Sequence, residues 1–86
     1  IFRLFLIDSE SLCTGLRIAQ EISPDALEIL PGIIFSQVRD FIPVEGLPPL
    51  ICGGFIRKEK EVEEIISQGA VAVSTSCRKL WKMNRR

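Results

Sequence analysis

The sequence predicts an α/β fold, four successive βα units forming half of a TIM-like (β/α)8 barrel, and three observations carry that expectation. Short apolar runs alternate strictly with segments of helical character. The runs end at Asp8, Pro31, Gly53 and Ser74, so the units are 23, 22 and 21 residues long. Units of one length in strict alternation are built as parallel strands with right-handed crossovers. The third observation is that two successive runs end in small residues, Gly53-Gly54 and Ser74-Thr75-Ser76, like the paired loops that close the phosphate site of a barrel. An open doubly wound sheet is the competing arrangement. It places its Gly-rich turn after the first strand, whereas here the turn comes late and no G-x-G-x-x-G occurs.

Each element can be justified in order. Phe2 to Ile7 is an apolar run broken only by Arg3, and it stops at Asp8-Ser9, either of which can cap the helix that follows. Leu12, Leu16, Ala19 and Ile22 mark the buried stripe of that helix, and Ser23-Pro24-Asp25 ends it. Ala26 to Leu30 is the second strand, closed by Pro31-Gly32. Ile34, Val38 and Phe41 then mark one face of a second helix, before Pro43 to Pro49 forces a loop. Leu50 to Cys52 is the third strand. Arg57 to Gln68 reads as the clearest helix, with Val62, Ile65 and Ile66 on one side and Gly69 as its stop. Val71 to Val73 is the fourth strand. Cys77, Leu80 and Trp81 start a short last helix.

Composition narrows the class. The chain has 86 residues, enough for one small domain, and is 47% hydrophobic with a formal charge of zero. No global field therefore draws it to nucleic acid or membrane, and any such contact must be local. Cys13, Cys52 and Cys77 have no metal-ligand spacing and no histidine accompanies them, so neither a metal nor a cofactor is expected. An odd number of thiols fits a reducing, cytoplasmic setting. The apolar runs are too short to cross a bilayer. The chain opens on Ile1 inside a strand-like run, which is expected of the C-terminal half of a barrel domain whose N-terminal half precedes it; a processed or tagged form of an intact small domain is the alternative. Half a barrel leaves both edge strands unpaired, so the missing half or a second copy is expected to cover them.

Strand alternation places two charges. With Leu27 and Ile29 facing the covering helices, Ala26, Glu28 and Leu30 face the barrel axis; with Leu4 and Leu6 outward, Arg3, Phe5 and Ile7 do so on the preceding strand. Arg3 and Glu28 are then neighbours, free to form a structural ion pair, and Glu28 is also placed to accept a hydrogen bond from a ligand hydroxyl. Asp8 reads as a helix cap or a ligand contact. Glycine admits a phosphate close to the backbone, and a helix start offers unpaired N–H groups. A side chain at Gly54 is accordingly expected to block a bound phosphate while leaving the fold intact.

Taken together, Arg3-Leu4-Phe5-Leu6-Ile7-Asp8-Ser9, Glu28-Ile29-Leu30-Pro31-Gly32, Cys52-Gly53-Gly54-Phe55-Ile56 and Gly69-Ala70-Val71-Ala72-Val73-Ser74-Thr75-Ser76 resemble, in order, the C-terminal half of the glycerol uptake operon antiterminator family. The resemblance runs from Phe2 to Trp81. It implies a TIM-like barrel that binds glycerol 3-phosphate and leader mRNA and lets transcription pass a terminator. By position it implies that Gly32, Gly53, Gly54, Ser74, Thr75 and Ser76 hold the ligand's phosphate, with Asp8 and Glu28 at the same mouth. Departures from the family pattern fall at Cys52, where Ala is usual, and at Cys77-Arg78, where a polar pair is usual. The basic residues Arg78, Lys79, Lys82, Arg85 and Arg86, with Trp81 among them, either meet RNA or form the solvated face of a last helix. A barrel enzyme acting on a phosphorylated small molecule is the alternative function; Asp8 and Glu28 are the only carboxylates at strand ends to serve it, and no histidine or tyrosine offers a base.

Overall fold

In the computed structural model, which describes residues 1–78 and 80, four strands form one parallel sheet: β1 (Phe2–Phe5), β2 (Leu27–Leu30), β3 (Leu50–Gly53) and β4 (Ala72–Ser74). They lie side by side in chain order, β1-β2-β3-β4, with Arg3 opposite Glu28, Glu28 opposite Ile51 and Gly53 opposite Ser74. The order never reverses, so the sheet is wound in one direction, and the expected half-barrel-like unit is what forms. Each strand is a residue or two from its expected bounds, the fourth beginning at Ala72 and including Ser74.

The two faces of the sheet differ as the alternation requires. Leu4, Leu27, Ile29, Leu50 and Cys52 are buried in one cluster with Leu12, Leu16, Ala19, Val62 and Ile65 of the helices. A fully buried Leu or Ile is worth about 1.5–3 kcal/mol over an exposed one, so Leu27 and Ile29, both at 0% exposure, anchor the layer. On the opposite face Phe5 is 60% exposed. Arg3 and Ser74 are exposed there too. This is the face a closed ring would turn toward its axis, and β1 and β4 are its unpaired edges.

Helix α1 (Ser9–Ile22) starts where expected: the Asp8 carboxylate accepts the Ser11 N–H at 2.8 Å, and Ser11 Oγ accepts the N–H of Ile7 and Asp8. Asp8, not Ser9, is the cap. The helix stops at Ser23, whose φ of 46° turns the chain into the left-handed region before Pro24. The second crossover departs from the expectation of one regular helix. It breaks into a 3₁₀ turn (Gly32–Ile34), a single α-turn α2 (Phe35–Val38) and two more 3₁₀ turns (Arg39–Phe41 and Val44–Gly46). The buried anchors there are Phe35 and Ile42, while Phe41, expected on the inner stripe, is 72% exposed.

Helix α3 (Glu59–Ser67) buries Val62 and Ile65 but leaves Ile66 42% exposed, and the chain leaves it through Gly69 at φ +116°. The α2 segment is tied to the end of α3 by Ser36 Oγ donating to Gln68 Oε1 at 2.8 Å and by Arg39 Nε donating to the Gln68 carbonyl. Leu80, expected in the last helix, is buried, while Trp81, Lys79, Lys82, Arg85 and Arg86 lie outside the described residues. Among the described residues no helix is long and apolar enough to cross a membrane.

Candidate functional site

Two turns meet at the C-terminal end of the sheet. The turn after β3 and the turn after β4 together line a pocket of about 370 Å³: Gly54, Phe55, Ile56 and Arg57 from the first, Ser74, Thr75 and Ser76 from the second. The volume suits a small ligand. Adjacency of β3 and β4 in a parallel sheet is what brings residues 20 apart in sequence to one rim, since parallel strands all end on the same side.

The first turn carries two successive residues with positive φ, Gly54 at +110° and Phe55 at +62°. Successive turn amides of this kind form concavities suited to anions. Among the described residues, no hydrogen bond takes the N–H of Gly54, Phe55 or Ile56, and the same holds for the N–H and hydroxyl of Ser76 and the hydroxyl of Ser74. Arg57 adds a guanidinium that makes no hydrogen bond or ion pair among those residues. The pocket is thus bordered by donors and a cation, the requirement for holding a phosphate.

The start of α3, by contrast, is already occupied. The Glu61 carboxylate accepts the N–H of Arg57 at 2.9 Å and of Lys58 at 3.0 Å. Those bonds, with the nearby charges of Lys58 and Arg57, hold its carboxyl below the usual range. The amides leading into α3, those of Arg57 and its N-cap Lys58, are therefore taken up from within the helix, and the donors that border the pocket belong to the turn before them.

Thr75 holds the turns together rather than presenting its hydroxyl to the opening. Its Oγ1 donates to the Ile56 carbonyl at 2.7 Å and accepts the Cys77 N–H at 3.1 Å. Gly32 and Gly53 back the pocket without lining it. A Cβ on Gly32 would lie 2.5 Å from the Gly53 nitrogen, so only glycine lets the second crossover rest against the end of β3. A Cβ on Gly53 would lie 2.8 Å from Glu28 Oε2, which places that carboxylate directly beside the β3 end. Gly54 combines its φ of +110° with a would-be Cβ only 3.1 Å from Pro31 Cα. A valine there would disturb the backbone itself, so the expectation of an intact fold after that change is revised.

Arg3 and Glu28 form the ion pair that alternation places, Nε to Oε1 at 3.0 Å, with the carboxylate side chain 14% exposed and the guanidinium 62%. Glu28 Oε1 is committed to Arg3. The Glu28 charge and burial together, burial foremost, push the Cys52 thiol up to about 12, so Cys52 is an inert apolar group. Asp8 stands elsewhere: besides capping α1 it borders a second hollow of about 360 Å³ walled by Leu6, Ile7, Leu12, Ile34, Val38 and Phe41. That hollow is apolar, carries a carboxylate and has no cation in its lining, which disfavours an anion.

Phe55, Ile56 and Arg57 are the pocket residues that sequence reasoning missed. Arg57 opens the charge run Arg57-Lys58-Glu59-Lys60-Glu61, which reads as a solvated helix face; the missed signal was its position ahead of the cap, on the turn rather than the helix. Among the described residues no cluster of three or more metal-binding side chains exists.

A one-sided layer of four parallel βα units, with a donor-bordered pocket where two adjacent strands end, defines a half-barrel-like α/β unit. The chain belongs to the glycerol-3-phosphate responsive antiterminator family, whose model matches residues 1–81. It is 33% identical over 86 residues to the uncharacterized protein YgcP of Escherichia coli K12, covering all of this chain and 44% of that one. Among solved structures it is similar to the glycerol uptake operon antiterminator regulatory protein of Listeria monocytogenes (42% identity, TM-score 0.80, 93% of this chain and 43% of that one). It is also similar to a glycerol uptake operon antiterminator-related protein of Thermotoga maritima (36% identity, TM-score 0.77, 94% and 45%). The chain thus spans less than half the length of these relatives, and the resemblance drawn from its four sequence blocks holds.

Proposed function

We propose that this chain is the ligand-reading half of a cytoplasmic, glycerol 3-phosphate-responsive regulator that acts on leader mRNA. In this reading the 86 residues are the C-terminal half of a (β/α)8 barrel, and a preceding segment pairs with β1 and β4 to close the ring. Relatives more than twice as long and two open sheet edges support that arrangement. The observation that carries the ligand is the pocket joining Gly54–Arg57 to Ser74–Ser76, bordered by uncommitted amides, two serine hydroxyls and Arg57. The phosphate is held there. The glycerol hydroxyls extend toward Glu28, whose Oε2 lies against the β3 end while Oε1 is fixed by Arg3.

The carboxylates that an enzyme reading would recruit are engaged otherwise, Asp8 as a cap and Glu28 in an ion pair. The regulator reading is therefore preferred. Calorimetric titration of the full-length protein with glycerol 3-phosphate tests it. Arg57→Gln and Ser76→Ala should each weaken binding about tenfold, because a hydrogen bond to a charged group is worth about 1.5 kcal/mol or more. Unchanged affinity in both variants would remove the ligand from this pocket.

A further inference from the structure

Phe55 is hard to explain by folding. Its backbone sits at φ +62°, a region a bulky L residue adopts at a cost, and its ring is 75% exposed, so burial offsets none of that cost. The conformation is imposed from both sides. Gly54 accepts the Ile33 N–H at 3.2 Å, and on the other flank Ile56 is buried at 2% exposure with its carbonyl bonded to Thr75 Oγ1 at 2.7 Å. The ring is therefore presented to solvent from a fixed base, at the rim of the pocket described above.

Two exposed cations belong to the same pair of turns: Lys58 follows three residues on, and Arg78 comes directly after Cys77, whose Sγ lies 3.7 Å from the Arg57 carbonyl. The neighbouring acid Glu61 is turned inward onto two backbone amides. Beside the ring the pocket is lined by Gly54, Arg57 and the hydroxyl-bearing Ser74-Thr75-Ser76 turn, with Ile56 buried beneath. Protein partners favour aromatic anchors set in an apolar surround. An isolated ring among cations is instead how single-stranded nucleic acid is held, a base stacked on the ring and the backbone phosphates met by Lys and Arg.

We infer that Phe55, Lys58 and Arg78 form the surface on which this regulator holds single-stranded RNA, an unpaired base stacking on the Phe55 ring directly over the ligand pocket. The inference rests on the regulator reading and adds to it a place where ligand and RNA share one turn, so that each affects the other's affinity. The probe is a single-stranded RNA dodecamer carrying a central 2-aminopurine, titrated with the full-length protein at saturating glycerol 3-phosphate over a series of salt concentrations. Binding should quench the 2-aminopurine. Phe55→Leu should remove the quenching and weaken binding about tenfold, within what one stacked base supplies, with the salt slope unchanged. Phe55→Trp should restore both. Lys58→Gln, outside the pocket, should lower the salt slope by about one with quenching kept. Full-strength RNA binding by Phe55→Leu, or RNA bound by the wild type without quenching, would overturn the inference and leave the regulator reading standing. Failure of the wild type to bind RNA at low salt would overturn both.

Discussion

Gly32 is the residue at which the fold and the site depend on the same few tenths of an ångström. An alanine Cβ there would stand 2.5 Å from the Gly53 nitrogen and 2.7 Å from the Cys52 carbonyl carbon. Both are backbone atoms of β3, so no side chain can swing aside; the crossover or the strand end must move. Overpacking costs about 1–3 kcal/mol where side chains can adjust, and with backbone on both sides Gly32→Ala belongs at about 3 kcal/mol. With a urea dependence of about 2 kcal/mol per molar, the unfolding midpoint should fall by about 1.5 M. Gly46→Ala is the matched control, because a Cβ there meets nothing within 4 Å. It should be neutral or stabilising by about 0.5 kcal/mol. Urea titrations of the full-length protein and both variants, followed by circular dichroism, make the comparison. A midpoint for Gly32→Ala within experimental error of the Gly46→Ala value would refute the steric argument.

Three further changes separate the roles assigned around it. Gly53→Ala puts a Cβ 2.8 Å from Glu28 Oε2, the movable end of a side chain, so it should cost only about 1 kcal/mol of stability yet displace the carboxylate and reduce glycerol 3-phosphate affinity, read by urea titration and calorimetry together. Asp8→Ala removes the α1 cap and should lower stability by about 1 kcal/mol, measured as a shift in the thermal midpoint. Cys52, whose folded thiol titrates near 12 against an ordinary value of 9.0, keeps its proton in the fold longer than in the unfolded chain; the stability of the wild type relative to Cys52→Ala should hold below pH 9 and decline as pH rises from there toward 12.

Much of the layer was legible because its signals repeat. Three nearly equal spacings set the units, and the alternation along Leu27-Glu28-Ile29-Leu30 is enough to place Glu28 against Arg3. The second crossover departs from its pattern for a physical reason: Ile34, Val38 and Phe41 keep helical spacing, but they line an open hollow beside α1, and of the three only Val38 also packs against the core, where Phe35 and Ile42 sit. Spacing alone does not distinguish a stripe that packs from one that borders a groove. At the site, the small residues of both turns were visible, yet the division of labour among them was not. That Thr75 ties the turns and that Gly32 and Gly53 serve close packing both depend on contacts between units. Phe55 gave no warning, since the positive φ that marks it is imposed by its neighbours on both sides.

The most direct test of the ligand assignment is to locate the ligand on the backbone, by titrating the ¹⁵N-labelled full-length protein with glycerol 3-phosphate and following amide resonances. The largest shifts should fall on Gly54, Phe55, Ile56 and Ser76, whose N–H groups have no protein partner among the described residues. Shifts centred instead on Leu6, Ile7 and Val38 at the apolar hollow, with the Gly54 and Ser76 resonances unmoved, would contradict the account.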